Sequence, residues 1–185
     1  MSRWLPVLLL PWLLVSCSGE QRNDLVLERV AANLQKDTLV AEARLTPEFV
    51  GKAMAMLSNG ESLLVSYHFE LLREKQWLPD PLENQAVVRR RLRRNLILER
   101  YEMNDLNHKT TSYTADEGEA ALFLGNPRFI PLLERSRLQP QQGYLVSVTF
   151  RLDEEGISRM LRVLRDWIFF WEVNSHTIQS GYRLP

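Results

Sequence analysis

The side chain best suited to covalent chemistry is the thiol of Cys17, the only cysteine of the chain. It follows an apolar run over residues 4–15, which in turn follows a single positive charge at Arg3. This order is typical of a secretory signal. The run is shorter than the roughly 20 residues that a bilayer-spanning helix needs, and Pro6 and Pro11 disfavour a helix. We therefore predict a signal peptide over residues 1–16.

The residues around the thiol indicate how that signal ends. Leu14, Val15 and Ser16 precede Cys17, and Ser18 follows it. The pattern resembles the bacterial lipobox, which implies that the thiol carries a diacylglycerol, that the leader is cut before the cysteine and that the new amine is acylated. Two or more acyl chains anchor a protein firmly. The alternative interpretation is that Cys17 is only a small residue within an ordinary signal.

The same resemblance predicts where the protein resides. It implies a lipoprotein of the bacterial cell envelope that faces the periplasm and contacts the membrane through its lipid anchor. By analogy, Ser18 in place of Asp slightly favours the outer membrane over the inner one. The polar residues 17–24 are predicted to be a lipidated tether, and residues 25–185 a single β-rich domain.

Composition excludes several classes of protein. Lys and Arg together number 23, as do Asp and Glu, so the chain has no general attraction to nucleic acid. With no second cysteine, the domain cannot form an internal disulfide and must rely on packing in an oxidising compartment. A chain of this length can bury the core that such packing requires.

The densest charge cluster is a run of arginines within a predicted strand. It consists of Arg89, Arg90, Arg91, Arg93 and Arg94. Alternation at period two places Arg89, Arg91 and Arg93 on one side, where they could form a face that binds anionic headgroups or an acidic envelope protein. The alternative is a solvated strand face that pairs with acids such as Glu83 and Glu99 and protects an edge strand. Without interleaved aromatic residues, we predict no nucleic-acid partner.

Other chemistry-bearing residues do not form a recognisable site. His68, His108 and His176 are scattered singly, so we predict no metal site and no cofactor. The chain lacks a Gly-x-Ser-x-Gly elbow and a phosphate-binding glycine loop, and the acids at 153–155 suit a turn, so we predict no catalytic residues. The aromatic cluster Trp167, Phe169, Phe170 and Trp171 is interpreted as core, with a ligand platform or membrane patch as the alternative.

Apolar periodicity predicts the elements that position these residues. Alternation predicts strands near residues 25–30, 38–45, 62–72, 110–114, 144–152 and 171–184, and a long β region over 86–103 with a bulge or turn near Glu99. Helices are predicted to begin at Thr46 and at Asp116 or Glu117, with further helical pieces over 129–133 and 157–164. Residues 73–85 are predicted to be a loop pinned by Trp77. The fold class is mainly β (α+β), an antiparallel β-sandwich-like domain with two or three short helical insertions.

The order of these elements resembles a known family. The strand at 64–71, the downstream Trp77, the basic segment before Tyr101, the helix at 119–122 and the strand at 143–148 are together similar to the bacterial envelope family called domain of unknown function 4390. The likeness covers residues 25–185. It implies no activity and no catalytic residues, and many members of the family carry an ordinary signal instead of a lipobox. Some members are encoded beside a nitrogen-type sensor kinase, which implies a signalling context.

The function predicted from these observations is a non-enzymatic cell-envelope lipoprotein that acts as a binding or assembly module. Its partner would be an envelope protein or anionic headgroups, contacted through the arginine face. The alternative is a periplasmic module that binds a small ligand or lipid in a pocket between sheet and helices. A hydrolytic enzyme is the third and least favoured class.

Overall fold

The computed structural model describes residues 26–75, 77, 79–153 and 176–183. Within these ranges the chain forms nine strands, two α-helices and one short 3-10 helix, and their bounds follow in chain order. They are β1 (Leu27–Gln35), β2 (Thr38–Leu45), α1 (Pro47–Leu57), β3 (Ser62–Arg73), β4 (Leu82–Asn95), β5 (Arg100–Asp105), β6 (Thr110–Thr114), α2 (Glu117–Gly125), β7 (Ile130–Glu134), the 3-10 helix (Arg135–Arg137), β8 (Gly143–Asp153) and β9 (His176–Arg183).

The strands form two antiparallel sheets. The larger sheet has the order β6-β5-β4-β3-β8-β9, and the smaller has the order β1-β2-β7. Strand β3 is central in the larger sheet, where Leu63 pairs with Leu92 of β4 and Tyr67 pairs with Phe150 of β8. The arrangement confirms the mainly β, sandwich-like fold class.

The core lies between the two sheets and under the helices. Alternate residues of β3 point into it and are buried, namely Leu63, Val65, Tyr67, Phe69 and Leu71. The ring of Phe150 meets both Tyr67 and Phe49 of α1 edge-on, each with centroids 5.2 Å apart. Edge-to-face contacts of this kind add to the stabilisation from burying apolar surface. Helix α1 is therefore fixed to the centre of the larger sheet.

Both helices begin where the sequence predicts. The hydroxyl of Thr46 accepts a hydrogen bond from the N–H of Phe49 at 3.4 Å, and proline follows at the first helical position. A carboxylate oxygen of Asp116 accepts from the N–H of Gly118 at 2.7 Å and from that of Glu119 at 3.2 Å. These caps satisfy amide groups that would otherwise lack partners at the helix starts.

The predicted helical piece at 129–133 is wrong, because residues 130–134 form strand β7. Leu133 pairs with Leu39 of β2, and the side-chain amide of Asn84 donates to the carbonyl of Leu132, which links the two sheets. A short apolar run has no periodicity that separates helix from strand, and the free edge of β2 decides the outcome. Pro131 is compatible with this position because β7 is an edge strand.

The predicted loop over 73–85 also differs from the structure. Strand β4 begins at Leu82, and the Trp77 side chain is 92% exposed, so its ring does not pin the loop. In the β region after it, the turn expected near Glu99 is confirmed: residues 96–99 separate β4 from β5. The predictions for the signal peptide, the tether, the helical turns at 157–164 and the aromatic cluster at 167–171 lie outside the described residues.

Candidate functional site

Strand β4 divides its side chains between the core and the outer side of the larger sheet. Val88 and Leu92 are buried in the core, whereas Arg89, Arg91 and Arg93 are exposed on the outer side. This division follows from the pleat, which turns successive side chains to opposite faces of a sheet. The arginines singled out from the sequence therefore lie together on one surface.

A fourth arginine joins them from a distant part of the chain. Ser66 of β3 pairs with Arg89 on one side and with Arg151 of β8 on the other, so the two arginines share a row across three strands. Two strand spacings separate their Cα atoms, roughly 10 Å. Arg151 is exposed, while Ser66 between them is buried. We call Arg89, Arg91, Arg93 and Arg151 the basic face.

Sequence reasoning missed Arg151 as a member of this surface. Its polar position in the alternating strand β8 was the available signal, but only the pairing of β8 with β3 places it beside Arg89. The same register sets Arg91 beside Leu64 and Arg93 beside Ser62.

The basic face has no ionic partner within the part of the chain that the structure describes. The two acids expected to neutralise it do not do so, since Glu83 pairs with Arg73 at 2.8 Å and Glu99 lies in the β4–β5 turn. Glu102 is opposite Arg93 in register, but it accepts a hydrogen bond from the Asn104 amide at 3.0 Å. Exposed guanidinium groups in this state can bind carboxylates or phosphates, often through two hydrogen bonds.

Arg90 has a different environment, because it points towards the core. Its Nη1 donates to the carbonyl of Phe123 in the last turn of α2, and its guanidinium lies 4.9 Å from the Phe123 ring centroid. Burial lowers the pKa of Arg90, although Tyr67 and Asp105 oppose that shift. Tyr67 donates its hydroxyl to the next carbonyl of the helix, that of Leu124, at 2.7 Å, and burial raises the pKa of this hydroxyl. Arg90 and Tyr67 therefore complete the end of α2 and are not available to a partner.

A groove lies on another side of the molecule, between α1, α2 and the end of β2. Its volume is about 710 Å³. The charged residues of its lining are Arg44, Asp116, Glu119 and Arg128, and the rest of the lining is mainly apolar. The groove therefore carries charges of both signs, and Asp116 is already engaged in capping α2. This is the cleft that corresponds to the alternative of a pocket between sheet and helices.

The histidines remain apart in the fold. His68 lies in β3, His176 in β9, and His108 in the β5–β6 turn, where its Nδ1 is 2.9 Å from a carboxylate oxygen of Asp105. Among the described residues, no group of three His, Cys, Asp or Glu side chains could hold a metal ion. In the same residues, no helix has both the length and the apolar character needed to cross a membrane.

Comparison with protein families fits this architecture. The model described as "Domain of unknown function (DUF4390)" matches residues 22–180, which extend from before β1 into β9. The chain belongs to the DUF4390 family. Comparisons with curated proteins and with solved structures give no match. Membership of DUF4390 confirms the resemblance seen in the sequence and assigns no activity to the basic face or to the groove.

Proposed function

We propose that this DUF4390 protein is a non-enzymatic binding module of the bacterial cell envelope, anchored through a lipid on Cys17, that recognises an acidic surface of an envelope protein through its basic face. The observation that carries the proposal is the set of four exposed arginines with no ionic partner among the described residues. Leaving such groups solvated costs little, whereas a partner carboxylate gains charge-assisted hydrogen bonds.

The geometry of the basic face suits a row of carboxylates. Along β4 the three arginines recur at every second residue, roughly 7 Å apart, and Arg151 widens the surface across the sheet. A protein partner is favoured over headgroups because the arginines follow the side of a sheet, which can align with an extended or helical acidic segment. Electrostatic recognition of this kind weakens as salt is added.

Binding can be tested with poly-L-glutamate as a defined acidic probe. The triple variant Arg89→Ser, Arg91→Ser, Arg93→Ser is compared with Arg29→Ser, Arg135→Ser, Arg137→Ser, which removes the same charge from exposed positions elsewhere. We expect the first variant to lose about tenfold in affinity, because each exposed ionic contact contributes up to about 1 kcal/mol, and the second to lose about twofold or less. Equal losses of affinity in the two variants would contradict the proposal. It would also be contradicted if the basic-face variant lost binding to phosphatidylglycerol vesicles but kept its binding to poly-L-glutamate.

A photo-crosslinking residue at position 91, with a matched one at position 29, extends this test to intact membranes. The proposal expects the crosslinker at position 91 to form an adduct with a protein. This adduct should be lost when Arg89→Ser and Arg93→Ser are added to the chain that carries the crosslinker. An adduct of equal yield from position 29 would indicate contact without specificity.

The anchor is tested separately, because residues 1–25 lie outside the described part of the chain. The lipobox-like sequence around Cys17 supports it. Mass spectrometry of the native protein should find an acylated N-terminal cysteine, and Cys17→Ala should release the domain from the membrane fraction. An unmodified thiol, or a leader cut at another bond, would contradict the lipid anchor and leave the basic face to be judged by its own test.

The groove supports a second candidate function, binding of a small ligand, because its volume of about 710 Å³ falls within the usual range of such sites. Filling it with Leu122→Trp separates the two candidates. The basic-face proposal expects unchanged binding of poly-L-glutamate by this variant.

A further inference from the structure

The β4–β5 turn exposes three consecutive aliphatic side chains. Leu96 is 52% exposed, Ile97 is 92% exposed and Leu98 is 54% exposed. Hairpin turns ordinarily consist of glycine, asparagine, aspartate or proline, so aliphatic residues at this position are not required by the turn itself. We call these three residues the apolar tip.

The apolar tip is held in a defined conformation. The side-chain oxygen of Asn95 accepts hydrogen bonds from the N–H groups of Ile97 at 3.1 Å and Leu98 at 3.0 Å. Leu96 leans against the turn after α1, where a Cβ added to Gly60 would be 3.1 Å from its Cδ1 atom. The exposed aliphatic groups are thus presented by an ordered turn.

Arginine and tyrosine side chains surround the base of the tip. Arg94 lies with its guanidinium 5.5 Å from the ring centroid of Tyr101, and Arg100 lies 4.4 Å from that of Tyr113. Tyr101 is buried and Arg94 is half-buried, whereas Arg100 and Tyr113 are exposed. Exposed tyrosine and arginine are characteristic of the headgroup level of membranes, where an apolar body and a polar end are both satisfied. Three acids lie in the same region: Glu99 in the turn itself, Glu61 next to Gly60 just before β3, and Glu102 in β5.

The start of the domain is close enough for the tip to reach a membrane. Val26 accepts a hydrogen bond from Thr46 at the start of α1, and the turn at Gly60 after the end of α1 touches the tip. The 11 residues of α1 span roughly 16 Å. Eight residues separate Cys17 from Val26, and the nine steps between them reach at most about 30 Å when fully extended.

We propose that the apolar tip inserts into the headgroup region of a bilayer that contains anionic phospholipid, with Arg94 and Arg100 at the level of the phosphates. The argument from chain length rests on the proposed lipid anchor, whereas the exposed aliphatics and the flanking arginines stand without it. In this orientation β4 rises from the membrane, and the basic face points sideways towards neighbouring envelope proteins.

The single cysteine of the chain permits a direct test. In a Cys17→Ser background, Ile97→Cys introduces the only thiol, and a fluorophore such as NBD attached there reports entry into an apolar medium. With vesicles of phosphatidylethanolamine and phosphatidylglycerol we expect a several-fold rise in emission and quenching by spin-labelled acyl chains. The matched control is Leu122→Cys in α2, whose native side chain is 60% exposed. Its label should change little.

Two further variants sharpen the result. With the label on Leu98→Cys, adding Ile97→Asp should remove most of the response, and adding Arg100→Ser should weaken it for anionic vesicles only. Binding of the apolar residues 1–16 to the vesicles cannot produce the difference, because the chains labelled at positions 97 and 122 differ only in the position of the probe. Equal responses at positions 97 and 122 would overturn the proposal, as would a response at 97 to envelope proteins but not to vesicles. Because this chain carries no lipid, failure here would leave the anchor and the basic face untouched.

Discussion

The two sides of β4 give the same residue type opposite roles. Arg90 points inward, donates to the carbonyl of Phe123 and lies over its ring, whereas Arg91, the next residue, is exposed and has no ionic partner in the described part of the chain. The pleat of the strand separates them. The comparison shows that an arginine run in this fold contains both structural and solvent-facing members, and that its charge cannot be treated as a single surface.

Arg90 has a structural role because the end of helix α2 lacks hydrogen-bond donors of its own. Its last turn has no basic residue, although the carbonyl groups at a helix end carry partial negative charge and need donors. Arg90 from β4 and Tyr67 from β3 supply donors to the carbonyls of Phe123 and Leu124. The larger sheet therefore completes the helix that packs on it.

The largest difference between the two sides is expected at Leu92, which is fully buried between Arg91 and Arg93 in sequence. Leu92→Ala should lower the free energy of unfolding by about 2–5 kcal/mol, because it removes core contacts and leaves a cavity. Urea denaturation would measure the loss. Val87→Ala on the outer side is the matched control and should cost about 1 kcal/mol or less. Equal losses would mean that the assignment of inner and outer sides is wrong.

A smaller difference is expected between the two arginines themselves. Arg90→Met should cost about 1–3 kcal/mol, because the carbonyl of Phe123 loses its charged donor in a half-buried position. Arg91→Met, which deletes the same group one residue later, should change stability by about 0.5 kcal/mol or less. Chemical denaturation of both variants checks the contrast. If Arg90→Met left the free energy of unfolding unchanged, α2 would not need this donor.

Alternation in the sequence predicts that Arg89, Arg91 and Arg93 lie on one side of β4, and the structure places them so; their role in binding stays a prediction. The fate of Arg90 could not be predicted in the same way. Period two assigns it to the core side together with Leu92, but its partner is a carbonyl 33 residues away in the chain. Contacts of that sequence separation depend on how α2 packs, which no local pattern specifies.

The strand β7 illustrates the same limit for the fold. Capping residues predicted the starts of α1 and α2 because a cap is a local interaction, formed within three residues of Thr46 and Asp116. Residues 130–134 have no comparable local determinant. They form a strand because β2 offers an edge with unpaired backbone groups, and this edge exists only after the sheet has formed.

The smallest expected effect concerns Asp105, which is opposite Arg90 in register. Burial alone would raise the pKa of Asp105, but hydrogen bonds from the side chain and N–H of His108 and from the N–H of Asn107 outweigh it, so the pKa lies below its ordinary value of 3.8. A carboxyl with a lowered pKa stabilises the folded state above its unfolded pKa, and that contribution is lost as the pH falls through the folded value.

Asp105→Asn should therefore reduce the acid sensitivity of the protein. Between about pH 5 and about pH 3, the melting temperature of the variant should fall less than that of the native chain. Near neutral pH the variant should lose about 1 kcal/mol or less, because Asp105 is the last residue of β5, beside a surface turn, and Arg90 also donates to the carbonyl of Phe123. Thermal melts across this pH range would measure both effects. A loss of stability near neutral pH as large as that of Arg90→Met would instead mean that Arg90 depends on the carboxylate of Asp105. The two sides of β4 would then differ mainly because the inner arginine has an ionic partner, and its hydrogen bond to the end of α2 would matter less.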